Sequence, residues 1–205
     1  MPRSRSQTKE QIVTAAMHQF WQHGFCSTSM DDLVRQIGTS RHAIYSDCGG
    51  KTELFIDCLK AYQYLVVSPA FEQVEAPDAG FDQVENYFNF QIERARESGW
   101  PFPGCLVANT AAESGSHDEK VLAAIESHNA RLKGGFLNAL QNSVGRPKHS
   151  KELDLDQLAG FLAVSTQGLW LFSRTARTME PVRQHARTLV CIVKERIENE
   201  SYSNP

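Results

Sequence analysis

The chain has 205 residues, of which 41% are hydrophobic and 22% are charged, and its formal net charge is −3. This is the composition of an ordinary folded protein with one large domain or two small ones, and it excludes a chain built as a polycation. No run of about 18 apolar residues occurs and the polar N-terminus lacks a signal-peptide core, so we expect a cytoplasmic protein with no membrane partner.

The sequence lacks the motifs that mark enzymes and metalloproteins. The five cysteines are an odd number without CxxC spacing, so free thiols are expected and not disulfides. No Cys/His cluster has zinc-finger spacing. The acidic residues are scattered, and neither a nucleophile elbow nor a phosphate-binding loop is present. We therefore expect no enzymatic activity, no cofactor and no metal.

Helical periodicity runs through nearly the whole chain and predicts an all-α fold of about nine helices. The first apolar stripe consists of Ile12, Ala16 and Phe20, with Thr8 as a candidate N-cap and Gly24 as a stop. No sustained two-residue alternation bounded by turns occurs, so strands are not predicted.

The next two helices are short and are separated by a tight turn. Ser29 and the acid three residues later form a capping-box pattern, and the apolar residues between 30 and 37 follow at helical spacing. Gly38 stops this helix, and Thr39 or Ser40 can cap the next one. Two such helices around a glycine turn form a helix-turn-helix pattern, whose second helix can enter the major groove of DNA.

The second of these helices begins with polar side chains that suit DNA. Ser40, Arg41 and His42 can reach base edges and phosphates, and helix N-termini, one of them at Lys51, offer backbone N–H groups to phosphate oxygens. The charge distribution points the same way, because residues 1–60 hold seven Lys and Arg against six acids whereas the remainder is net negative.

The pattern stays helical in the rest of the chain. After two consecutive glycines a longer helix starts near Lys51, and residues 68–80, with two prolines and a glycine, form its end and a connection. Ser116 and Asp154 are candidate caps of later helices. Those later helices are predicted over residues 81–97, 104–114, 117–143, 154–176 and 180–199, and loops over 99–104 and 143–151.

The N-terminal segment resembles a known family. The stretch IVTAAMHQFWQHGFCSTSMDDLVRQIGTSRHAIYSDCGGKTELF (residues 12–55) is similar to the DNA-binding domain of the TetR/AcrR family of bacterial one-component transcriptional regulators. A later segment, GCLVANTAAE (residues 104–113), resembles one that opens the sixth helix in one branch of the family. The features that match in the first stretch, with their spacing, are Ala15, Ala16, Phe20, Gly24, Phe25, Thr28, the apolar stripe from Met30 to Ile37, Gly38, Ser40, Tyr45, Lys51 and Leu54.

The resemblance implies a homodimer whose two helix-turn-helix domains bind double-stranded DNA at a palindromic operator. It also implies a small-molecule effector in the C-terminal domain that swings the two DNA-binding domains apart. Residues 1–50 would form the DNA-binding domain, the helix over 51–68 the connector, and residues 51–205 the ligand-binding and dimerisation domain. The residues that it places against DNA are Thr28, Ser40, Arg41, His42, Tyr45 and Lys51.

An effector pocket is predicted from aromatic and polar side chains at helical spacing in the C-terminal part. The candidate residues are Phe88, Trp100, Phe102, Asn109, Glu113, His128 and Trp170. Gln167 is a further polar candidate for orienting a ligand. Taken alone, each aromatic fits core packing better than a pocket wall, and only the resemblance favours a pocket for the group.

Three residues need separate interpretation. Cys48 stands where the family usually has an aromatic, so it is interpreted as a small replacement for a packing side chain, and Asp47 brings negative charge close to phosphates. Cys105 follows a Pro-Gly pair at a helix start, where the helix dipole can lower a thiol pKa. Redox or electrophile sensing by Cys105 is one alternative, and a small buried hydrophobe is the other.

The leading hypothesis is a ligand-responsive transcriptional repressor. The alternative is a small-molecule or redox sensor with a degenerate DNA-binding domain that acts through a protein partner. Asp47, Cys48 and the weak basicity of the N-terminal part favour this alternative. Specific DNA binding that weakens steeply with salt distinguishes the repressor from the sensor.

Overall fold

The computed structural model describes residues 7–113, 118–144 and 153–202, without the side chains of 199–202, and this part contains helices and loops but no strand. The elements in chain order are α1 (Lys9–His23), α2 (Met30–Ile37), α3 (Arg41–Cys48), α4 (Lys51–Tyr62), a π-helical segment (Gln63–Val67), α5 (Ser68–Glu75), α6 (Phe81–Ser98), α7 (Leu106–Ala111), α8 (Glu119–Val144), α9 (Leu155–Ser173) and α10 (Glu180–Tyr202).

The all-α prediction is confirmed. α4, the π-helical segment and α5 follow one another without a loop. Taken as one interrupted helix, they bring the number of helices in the described ranges to nine, as predicted. None of the helices described is long and apolar enough to cross a membrane.

Helix starts follow the predicted capping chemistry. The N-caps that accept a backbone N–H three residues on are Thr8, Ser29, Ser40 and Asp154. At α2 the exchange is reciprocal, because the Asp32 carboxylate accepts the N–H of Ser29 at 3.0 Å while the Ser29 hydroxyl accepts the N–H of Asp32 at 3.1 Å. Of the two candidates for α3, Ser40 is the cap and Thr39 is not. The candidate cap Ser116 lies outside the described residues.

The chain divides into two compact units, each discontinuous in sequence. The first comprises the described residues up to Val67 together with those of Cys105–Glu126, and the second those of Ser68–Gly104 and from Ser127 onward. The division predicted from the sequence, with residues 51–205 as one ligand-binding and dimerisation domain, concerns function and stays a prediction.

The core of the first unit lies mainly between α1 and α4. Both helices present their apolar stripe to the other, and Phe20 and Phe55 meet edge to face with ring centroids 4.9 Å apart. The buried residues of the two stripes are Ile12, Val13, Ala16, Met17, Phe20, Leu54, Phe55, Cys58, Leu59 and Tyr62. Because α2 and α3 also pack on α1, this core fixes the helix-turn-helix on a rigid support.

The core of the second unit is rich in aromatic rings. α6 packs against α5 and α10, and α10 packs against α9. Phe71 of α5 meets Tyr87 of α6 and Phe136 of α8 edge to face at centroid distances of 5.2 and 5.3 Å. Such pairs add roughly 0.5–1.5 kcal/mol to what the buried area contributes.

Two neighbouring glycines of α8 face different surroundings. A Cβ at Gly135 would lie 2.6 Å from Cε1 and 2.9 Å from Cζ of Phe71, whereas a Cβ at Gly134 would meet none of the described atoms within 4 Å. We expect Gly135→Ala to lower the free energy of unfolding by about 1–3 kcal/mol, because the fully buried Phe71 ring must move. Gly134→Ala should raise it by up to about 1 kcal/mol, since alanine favours the helix. Urea unfolding of both variants measures this, and equal effects would contradict it.

Candidate functional site

The exposed face of α3 carries the polar side chains that the sequence predicted for DNA. Arg41 and His42 are exposed, and Tyr45 is 53% exposed although it is a large aromatic. The Arg41 guanidinium already has an anionic partner, because its Nη2 lies 2.7 Å from Oδ1 of Asp31 on α2. These three side chains therefore form one accessible surface at the helix that would enter the groove.

Ser40 and Lys51 lie at helix starts, as predicted. The Ser40 hydroxyl accepts the N–H of Ala43 at 3.1 Å and so opens α3. Lys51 begins α4, and its ammonium lies over the Phe25 ring, 4.5 Å from the centroid. Burial lowers the pKa of Lys51, while nearby Cys26 and Glu113 act in the opposite direction.

Thr28, which the resemblance places against DNA, is buried in the turn between α1 and α2. Its side chain is 1% exposed, and its hydroxyl donates to the carbonyl of Gly24 at 2.7 Å. This bond closes the turn between α1 and α2 from within, because the hydroxyl is short and its nearest acceptor belongs to the turn itself. We therefore infer that Thr28 stabilises that turn, and its contact with DNA stays a prediction.

Glu113, predicted for the effector pocket, binds the same turn. Its carboxylate accepts the backbone N–H of Phe25 at 2.8 Å and that of Cys26 at 2.6 Å. Gly24 leaves room for it, since a Cβ there would lie 3.1 Å from Oε1 of Glu113. Sequence reasoning missed this contact, which spans 87 and 88 positions, and no local sequence signal could have found it.

Cys48 is buried at the end of α3, whereas its neighbour Asp47 is exposed. Cys48 is 6% exposed, and burial raises the pKa of its thiol, which agrees with a packing role and not with reactivity. Asp47 is exposed and its carboxylate accepts the Ser46 hydroxyl at 2.8 Å. The Asp47 charge thus lies on the surface of α3, as the sequence suggested.

Cys105 is the N-cap residue of α7 and is 5% exposed. Burial raises the pKa of its thiol, although hydrogen bonds from Ala108, Tyr62 and Val107 act the other way. This direction is opposite to the lowering of the thiol pKa expected from a helix start alone, because the loss of water on burial outweighs these hydrogen bonds. The geometry is that of a small buried hydrophobe, and a redox role for Cys105 stays a prediction.

The predicted pocket residues are divided between the two units. Asn109 on α7 and Glu113 after it belong to the first unit. The members in the second unit are Phe88, Trp100, Phe102, His128 and Trp170. Trp100 is 65% exposed in the loop after α6, so it does not line an enclosed cavity in this structure.

The remaining pocket candidates of the second unit are buried. Phe88 and Trp170 both contact Tyr87. The ring centroids of Tyr87 and Phe88 are 5.1 Å apart, and the Trp170 indole N–H donates to the Tyr87 hydroxyl at 3.4 Å. Burial lowers the pKa of His128 to about 4, so its imidazole is neutral at physiological pH. Phe102 and Asn109 are also buried, each within its own unit.

One polar side chain of the second unit stands out. Gln167 of α9 has both amide atoms buried, and neither finds a hydrogen-bond partner among the described residues. Buried polar groups are nearly always paired, so an orphaned amide indicates a place for a polar ligand group or water. Gln167 was a polar candidate from the sequence, but the missing hydrogen-bond partners of its amide within the described ranges are visible only in the structure.

A groove of about 270 Å³ lies between α6 and α10 in the second unit. Its lining includes Phe88 of α6 and three cations of α10, Arg183, Arg187 and Lys194. No motif marks these cations in the sequence, although their spacing of four and seven residues places them on one helical face.

The comparisons with known proteins agree with this architecture. Residues 12–58 match the family described as bacterial regulatory proteins, tetR family, and residues 80–189, more than half of the chain, match the tetracyclin repressor-like C-terminal domain. The chain is 23% identical over 175 residues to YezE, an uncharacterized HTH-type transcriptional regulator of Bacillus subtilis strain 168, covering 85% of this chain and 90% of that protein.

Two further relatives are regulators. The HTH-type transcriptional repressor ComR of Escherichia coli K12 is 22% identical, with 93% of this chain and 90% of that protein covered. A solved structure of the TetR family regulator CifR, a cysteine mutant complexed with 26-bp operator DNA, superposes with a TM-score of 0.79 at 20% identity. It covers 92% of this chain and 97% of that one.

These matches fall on both parts of the chain and on the elements described above. The family and the relatives are transcriptional regulators, which confirms the prediction that the chain is not an enzyme. The α2–α3 pair is thus the helix-turn-helix of a DNA-binding regulator, and the chain belongs to the TetR family of bacterial transcriptional regulators.

Proposed function

We propose that the chain is a ligand-responsive transcriptional repressor that binds a palindromic operator as a homodimer. The observation that carries the proposal is the exposed face of α3, where Arg41, His42 and Tyr45 are accessible together. Arg41 and His42 are proposed to read base edges, while Ser40, Tyr45 and Lys51 position the helix on phosphates. Thr28 is left out of this set, because it is buried.

The proposed dimer face lies on α9 and α10. Large apolar side chains are exposed there, which is unusual for a lone helix surface and typical of an interface. They include Phe161, Val164, Leu171, Phe172 and Ile192, with Val164 74% exposed. A second copy that covers these side chains across a two-fold axis would give the dimer two copies of α3, one for each half of a palindrome.

The proposed effector site lies in the second unit. Two features of this unit support an effector with a hydrogen-bonding group and an apolar part: the orphaned amide of Gln167, and buried aromatic side chains such as Phe88 and Trp170. An effector bound there is proposed to favour a conformation of the dimer in which the two α3 helices no longer match the operator, so that DNA is released.

Selection of bound fragments from the source genome tests the function. We expect a small set of fragments with a shared two-fold symmetric footprint, one half-site for each subunit, and the genes beside them identify the chemical class of the effector. Recovery of no fragment at low salt would contradict the repressor and favour the sensor that acts through a protein partner.

Lys51→Ala tests the phosphate contact at the start of α4. We expect the operator affinity to fall uniformly across sequences and the slope of log affinity against log salt to decrease by about one, because one phosphate contact is lost. Lys60→Ala is the matched control, since it removes the same charge from an exposed position of the same helix. A slope equal to that of wild type in both variants would remove Lys51 from the interface.

A further inference from the structure

The turn between α1 and α2 is held from two sides by groups that do not belong to the helix-turn-helix. The Glu113 carboxylate takes two consecutive N–H groups, those of Phe25 and Cys26, at 2.8 and 2.6 Å. The Phe25 ring stacks on Phe55 of α4 with centroids 4.5 Å apart. The backbone of the turn thus depends on Glu113 and its side chain on α4.

The two hydrogen bonds to Glu113 are stronger than hydrogen bonds between neutral groups. Both are accepted by an ionised carboxylate, and such charge-assisted bonds are about twice as strong as neutral ones. Successive backbone N–H groups that point at one anion form a concave site which holds its partner at a fixed position. Gly24, with φ +89°, gives the turn the backbone conformation in which both groups face the carboxylate.

The turn leads directly into the helices that face DNA. The Thr28 hydroxyl closes it on the carbonyl of Gly24 at 2.7 Å, and Ser29 then caps α2. A displacement of the two anchored N–H groups therefore moves the start of α2, and α3 moves with α2 because the two helices pack on each other.

We propose that Glu113 is a positioning residue for operator binding. Its two hydrogen bonds, which we call the latch, fix the α1–α2 turn and so keep α2 and α3 in the positions that DNA binding requires. The proposal deepens the proposed function and rests on it. Glu113 itself touches no DNA, because its oxygens are bound to the turn. Preorganisation of a binding surface raises affinity by removing the cost of ordering it on contact.

The sign of the change in operator affinity distinguishes the latch from an effect of charge alone. Glu113→Gln removes a negative charge near Lys51, so electrostatics alone predicts tighter binding to DNA. The latch predicts the opposite, because an amide offers one oxygen and turns a donor towards the second N–H. We expect operator affinity to fall about tenfold, with an unchanged slope against salt, since no phosphate contact is lost.

Two variants complete the binding experiment. Glu113→Asp keeps the charge but shortens the reach by one methylene, so its affinity should fall as well. Glu119→Gln is the matched control, because it removes the same charge from an exposed position of the first unit, and it should bind as wild type or slightly tighter. Affinity of Glu113→Gln and Glu113→Asp equal to or above that of wild type would overturn the latch.

Amide hydrogen exchange tests the latch without DNA. In Glu113→Gln we expect faster exchange at the N–H groups of Phe25 and Cys26, and the acceleration should extend into α2. If wild type binds no DNA, the proposed function fails but this measurement still decides the latch. Exchange in α2 equal to that of wild type would show a local contact that positions nothing, which also overturns the proposal.

Discussion

Phe55→Ala is expected to lower the free energy of unfolding by about 3–5 kcal/mol and to abolish operator binding at ordinary temperatures. Phe55 has no exposed surface and touches Phe20 edge to face and Phe25 in a stack, so its removal opens a cavity where α1, α4 and the α1–α2 turn meet. Urea unfolding at fixed protein concentration measures the loss, since a dimer would make stability depend on concentration.

Tyr64→Ala is the control for Phe55. Tyr64 is an aromatic of the same unit that is 76% exposed, and its truncation should change the free energy of unfolding by no more than about 0.5 kcal/mol. A loss of similar size in both variants would mean that burial does not account for the stability of this unit.

Acidification is expected to destabilise the protein through His128. Burial lowers the pKa of His128 to about 4 in the folded protein, against 6.5 for an ordinary histidine. Between these values the unfolded chain binds a proton that the folded chain does not bind. The neutral His128 therefore contributes to the free energy of unfolding in full above pH 6.5, and this contribution is lost as the pH falls towards 4. The loss between pH 6.5 and pH 5 should be about 2 kcal/mol.

The comparison of two glutamine variants isolates this effect. His128→Gln cannot be protonated, so the difference between its stability curve and that of wild type should contain the predicted slope. His18→Gln makes the same substitution at an exposed histidine and controls for the replacement itself. Parallel curves for wild type and His128→Gln between pH 5 and pH 6.5 would refute the assignment.

The helices could be predicted from the sequence because their signals are local. Capping at Ser29 depends on Asp32, three residues away, and the stripe of α4 repeats at three and four residues. The candidate DNA-reading surface was predictable for the same reason, since Arg41, His42 and Tyr45 lie on one short helix with a known motif around it. Their exposure in the structure follows from that helix packing through its other face.

Contacts between distant segments could not be predicted. Glu113 was placed in a pocket because it is a polar residue among apolar ones, but its partners lie 87 and 88 positions earlier in the chain. Even over four residues, the bond from the Thr28 hydroxyl to the carbonyl of Gly24 depends on the path of the turn, which has no periodic signal in the sequence. For Cys105 the helix start was predictable from the sequence but the burial was not, and burial is what raises the pKa of the thiol.

The π-helical segment alters the spacing of buried residues along the continuous helical stretch over 51–75. The last buried residue of α4 is Tyr62 and the next buried one is Val67, a step of five where an α-helix takes three or four. A π turn accommodates one extra residue in this way without breaking the helix. Loss of a single residue between these two positions would shorten the step to four, the spacing of an α-helix, so the segment holds one residue more than an uninterrupted α-helix needs there.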